Sequence, residues 1–111
     1  MRLKEVVSSL QLEIIAGYAE EDDTEVKGAY IGDLLSVVMA NANEGNIWIT
    51  IQTHLNIIAV ASLVGLSSII ISEEMEIDND TVEKAEEIGM PLFRSKLTSY
   101  EIACKLCKLG V

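Results

Sequence analysis

Asn46–Val64 reads NIWITIQTHLNIIAVASLV, and its reading decides the fold. Ile47, Trp48, Ile49, Thr50 and Ile51 are β-branched or aromatic, the residue types that a pleated, packed backbone favours. The run is nearly continuous rather than alternating, which predicts a strand covered on both faces. Gln52, Thr53 and His54 interrupt it, and Leu55–Val64 follows as a helix that is apolar almost all round. A polar turn between a buried parallel strand and a helix is where open α/β sheets seat their ligands. The stretch therefore points to both the core and the candidate site.

Outward from this stretch the pattern repeats. Leu3, Val6, Val7 and Leu10 have the spacing of a short amphipathic helix. Leu12–Ile15 and Glu25–Ile31 are expected strands, and Gly28 marks a bulge or a close backbone approach. Asp33 is the expected N-cap of a helix over Leu34–Asn43, and Gly45 suits its C-terminal stop. After the central strand and helix come a strand at Ser68–Ser72 and a helix to Ile88, capped by Asp78 or Asp80. Met90–Phe93 is a short last strand, read as an edge because of Pro91. Thr98 or Ser99 caps the final helix. From Glu25 onward strand and helix alternate, so we expect one three-layer α/β domain over residues 1–111. Its sheet has about five strands, mostly parallel, with helices on both faces.

Composition narrows the function. With 111 residues and half of them hydrophobic, the chain can bury a core without staples. A net charge of −10 argues against nucleic acid and against an anionic membrane surface. The acids at Glu20–Glu25 and Glu73–Glu87 lack the spacing of a calcium loop and read as solvated faces. Leu55–Ile71 is interrupted by Gly65-Leu-Ser-Ser, so no membrane span is expected. Met1–Gly17 has no apolar core of a signal peptide, and a cytoplasmic location is expected. Cys104 and Cys107 fall late in a helical pattern and read as two small buried hydrophobes, not a redox or zinc pair.

In a parallel sheet the strand-to-helix turns share one edge. Asp33, Gln52, Thr53, His54, Asn56, Ser72, Arg94, Lys96, Thr98 and Ser99 are therefore candidates for one ligand-binding rim. Helix N-termini and the two cations suit an anion there. Neither phosphate-binding glycine motif nor a nucleophile elbow is present. No catalytic residue, metal or cofactor is expected. The alternative is a small hydrolase or transferase with His54 as acid or base and Asp33 as the nearest carboxylate.

The order of strand, polar turn and apolar helix, then Ile69-Ile70-Ile71-Ser72, then Arg94 and the helix Thr98-Ser-Tyr-Glu-Ile-Ala103, resembles the DRTGG domain. The likeness covers roughly Gly17–Leu109. Such domains resemble the N-terminal domain of HPr kinase and occur within phosphotransacetylases and between the CBS domains of some pyrophosphatases. The resemblance implies a regulatory or interaction module that tends to dimerise and binds a small ligand or a partner enzyme. The family's Asp-Arg pair falls on Thr53-His54, and its Thr-Gly-Gly on Ser72-Glu73-Glu74, where a hydroxyl alone is kept. The kinase P-loop domain has no counterpart, so the resemblance implies no kinase activity.

The two uncharged helices, Leu34–Asn43 and Leu55–Val64, carry little polar surface to turn to water. Pairing them across a two-fold axis would cover them, so a homodimer is expected, with a charge at Val38 or Val60 expected to break it.

Overall fold

The computed structural model describes residues 1–111. The chain runs α1 (Leu3–Leu10), β1 (Glu13–Ala16), β2 (Ala29–Ile31), α2 (Leu35–Asn41), β3 (Ile47–Thr50), α3 (Asn56–Val64), β4 (Ser68–Ile71), α4 (Asn79–Ile88), β5 (Leu92–Arg94) and α5 (Ser99–Leu109). Five strands form one sheet in the order β1-β5-β4-β3-β2. β2 to β5 are mutually parallel, and β1 pairs antiparallel with β5.

The continuous apolar strands are explained by a core on each side of the sheet. Successive side chains of a strand point to opposite faces. Trp48, Ile69, Ile71 and Leu92 pack on one face with Val38 of α2, Ile57 and Ile58 of α3 and Ala85 of α4. Ile47, Ile49, Ile70 and Phe93 pack on the other with Leu3 and Val6 of α1 and Ile102 and Leu106 of α5. Every residue of β3 and β4 is buried, so neither strand can show water a polar alternate. The charged face of α4 is exposed at Glu83, Lys84, Glu86 and Glu87. No helix is long and apolar enough to cross a membrane.

Several local expectations need correction. β5 is not an edge: it lies between β4 and β1. Pro91 precedes it and contributes its carbonyl, which accepts from Ile69 N–H at 2.9 Å. The missing proline N–H is therefore not needed there. The expected strand over Glu25–Ile31 shrinks to Ala29–Ile31, and Glu25 makes an isolated bridge to Arg2. Asp33 does not cap α2, whose N-cap is Leu34 with no side-chain bond. Thr98 does cap α5, in a capping box with Glu101. Cys104 is half-buried and Cys107 exposed, because the buried stripe of α5 runs through Ile102 and Leu106. Val38 and Val60 are core residues rather than outward ones. The exposed apolar side chains of that region are Ile31, Leu34, Val37, Met39, Leu55 and Leu63.

Candidate functional site

The C-terminal edge of the parallel strands does gather the turns, but it divides their side chains into separate groups. Asp33 is consumed by the turn after β3. Its Oδ1 accepts from the Thr50 hydroxyl at 2.8 Å and from Ile51 N–H at 3.0 Å. Gln52 donates from Nε2 to the Asp33 carbonyl at 2.8 Å. These residues fix the shape of the rim, with buried Thr50 as the anchor.

Ser72 and Ser99 share a hydrogen bond of 2.8 Å between their hydroxyls, joining the end of β4 to the first turn of α5. The turn after Ser72 is strained. Glu73 and Glu74 take φ of 59° and 54°, a left-handed conformation that side chains other than glycine and asparagine rarely adopt. Their N–H groups hold it by donating to the Leu97 and Ser95 carbonyls, each at 2.8 Å. Thr98 Oγ1 accepts from Glu101 N–H at 3.2 Å, and Glu101 accepts from Thr98 N–H at 3.0 Å, so Thr98 serves the helix.

Arg94 stands apart from the Gln52–His54 turn, because β4 separates β5 from β3. Its Nε and Nη2 donate to the two oxygens of Glu13, each at 3.0 Å, and Nη1 donates to the Met75 carbonyl at 3.3 Å. The hydrogen bond from Arg94 holds the Glu13 carboxyl below its ordinary range, and the same bond raises Arg94. Two parallel bonds fix both groups, as planar guanidinium–carboxylate pairs do.

His54 and Asn56 remain open to solvent. They line a groove of about 620 Å³ with Leu55, Ala59, Asp78, Asp80 and Lys84, between the first turns of α3 and α4. His54 Nδ1 lies 2.8 Å from Asp78 Oδ2, and 70% of the His54 side chain is exposed. The partner of His54 is thus Asp78 and not Asp33. Thr53 contributes its carbonyl, which accepts from the Thr81 hydroxyl at 2.8 Å and ties the turn to α4. The arrangement orients an imidazole with Nε2 directed away from its carboxylate, over a partly apolar floor. Asp78, Asp80 and Lys84 are absent from the rim expected from sequence. Their signal is Asp78 as a helix N-cap: it holds that position, yet its side chain makes no cap bond and turns to His54. No three histidine, cysteine or carboxylate side chains converge to hold a metal ion.

No family model matches the sequence, and no curated protein matches it. Among solved structures, the chain is similar to the CBS and DRTGG domains of the regulatory region of Clostridium perfringens pyrophosphatase, crystallised with its activator diadenosine tetraphosphate. The TM-score is 0.75 at 15% identity, over 95% of this chain and 45% of that one. The two share a fold. The present chain spans less than half the length of that regulatory region. The shared part takes in nearly all of the five-stranded sheet and its helices.

Proposed function

We propose that this chain is a non-catalytic regulatory module of the DRTGG type, which binds a small nucleotide-like ligand beside His54 and acts as a homodimer. The observation that carries the reading is the shared fold with a regulatory region whose activator is a nucleotide. A second one supports the DRTGG assignment. The glycines of the family motif would fall on Glu73 and Glu74, the two positions of that turn where φ is positive and glycine is at ease. The groove offers an apolar floor at Leu55 and Ala59 with polar groups at its rim, the usual make-up of a small-molecule site.

A thermal-shift screen with diadenosine tetraphosphate, AMP and ATP tests the ligand. At ~100 times its Kd a ligand should stabilise the fold by about 2.7 kcal/mol. His54→Gln and Asp78→Asn should shrink that shift without lowering the midpoint of the free protein, since the two side chains are 70% and 45% exposed and Asp78 makes no side-chain cap bond. Absence of any shift, or a shift indifferent to both substitutions, would remove the ligand assignment.

One observation favours a second reading. The His54–Asp78 pair has the geometry of an imidazole oriented for proton transfer. No hydroxyl or thiol lines the groove to act as nucleophile, which weighs against it. Were His54 a general acid or base, His54→Gln would lower turnover by about 10²–10⁴.

The dimer reading rests on the exposed apolar residues of α2, α3 and the β2 edge. Leu34 is 65% and Leu63 75% exposed, and neither has a charged neighbour within its own helix. A second copy would cover them, while the acids elsewhere keep the assembly soluble. Light scattering at tens of micromolar should report a dimer, and Leu34→Glu/Leu63→Glu a monomer with an unchanged circular dichroism spectrum. A monomeric unmutated chain contradicts the reading.

A further inference from the structure

Three of the chain's eight lysines and arginines, Arg94, Lys96 and Lys105, line one cleft of about 330 Å³. It lies between the end of α1, the start of β1 and the connection from β5 to α5, and shares no residue with the His54 groove. Glu13 is the single carboxylate of its lining. Each of the other three concavities carries more carboxylates than cations. In a chain of net charge −10, this cleft is the basic exception.

Arg94 and Glu13 offset each other through their two bonds and form a rigid wall. The two ammonium groups of the cleft are less tightly held. Lys96 has Glu74 at 3.9 Å and is 85% exposed, and Lys105 has no ion-pair partner. The Ser9 hydroxyl and the Gln11 amide line the same cleft, and neither side chain bonds elsewhere in the protein. The backbone fixes the position of Gln11. It ends α1 at φ 52° and ψ 48°, a left-handed position where glycine is the usual occupant. Its N–H donates to the Ser8 carbonyl, an ordinary way for a helix to stop. The Gln11 amide lines the cleft with Lys96 and Lys105, where a glycine would offer no side chain.

We propose that this cleft binds the phosphate group of a small phosphorylated molecule. Lys96 and Lys105 meet its charge, and Ser9 and Gln11 donate to its oxygens. A doubly charged group matches two ammoniums, one loosely paired with Glu74 and one without a direct partner, better than a singly charged carboxylate does. The site stands independently of the ligand proposed for His54.

Calorimetric titration of the full chain at low ionic strength, with inorganic phosphate, pyrophosphate and acetate as probes, tests it. Phosphate and pyrophosphate should bind more tightly than acetate. Lys96→Ala/Lys105→Ala should raise the phosphate Kd about tenfold, the sum of two exposed charge contacts, with the melting midpoint unchanged. Gln11→Gly should weaken phosphate binding while raising the midpoint, because the left-handed strain is relieved. His54→Gln should leave phosphate binding as it was. The proposal is overturned if neither phosphate probe binds, if acetate binds equally well, if the lysine variant keeps its affinity within twofold, or if His54→Gln abolishes the binding.

Discussion

Trp48→Ala is expected to destabilise the fold by about 4–5 kcal/mol, which approaches the whole stability of a small domain. Trp48 is fully buried in the middle of β3, with no exposed atom to soften the loss. Its neighbours in the core belong to three elements, since Val38, Ile57 and Ile69 come from α2, α3 and β4. They cannot all collapse into the space an indole leaves. The indole Nε1 also donates to the Gly32 carbonyl at 2.8 Å, tying β3 to the end of β2. Removing it strands a partly buried acceptor, a further part of that cost. Urea denaturation followed by circular dichroism measures the effect. Trp48→Phe separates the terms, because it keeps an aromatic ring and loses the donor, with about 1–2 kcal/mol expected. A loss under ~2 kcal/mol for the alanine variant would mean that this face of the sheet repacks freely.

Gly17→Ala is expected to cost about 3–4 kcal/mol, from left-handed strain and from overpacking. Gly17 ends β1 at φ +72°, and a Cβ there would lie 2.1 Å from the Met90 carbonyl oxygen and 2.8 Å from that of Ala85. Both obstacles are backbone, so no rotamer can relieve them. The end of β1 would have to lift from the C-terminus of α4. Gly89 provides the control. It has the same φ of +72°, and a methyl group there would meet nothing within 4 Å. Gly89→Ala should therefore show the conformational cost alone, about 1–2 kcal/mol. Equal losses for the two variants would refute the close packing of β1 on α4.

The alternating elements were legible because their physical cause is local. Ile47–Ile51 and Ile69–Ile71 can be read as two-sided strands from residue type alone, and Thr98 or Ser99 as the cap of the last helix. The antiparallel pairing of β1 with β5 was not, since four residues with one buried side chain carry no mark of their partner. The rim was legible as an edge but not as separate sites. Strand order, which places β4 between Arg94 and the Gln52–His54 turn, is a property of the assembled sheet. His54 and Asp78 meet across 24 residues of sequence, and no spacing rule joins them. Asp33 could be read as a cap from its position before a helix, but two donors from β3 and the turn after it take its carboxylate away from the helix.

The pairing of β1 with β5 also orders events in time. Glu13 reaches Arg94 across 81 residues, so β1 has no strand to pair with until β5 exists. At synthesis rates of about 5–20 residues per second, β1 waits roughly 4–16 s for β5. During that interval β2, β3 and β4 can already pair, each with its neighbour in sequence. Closure of the sheet is therefore a late step on the ribosome, and nascent chains halted before Leu92 would leave the edge of β1 without a strand partner, while α1 can already bond to Thr24 and pack on β3 and β4.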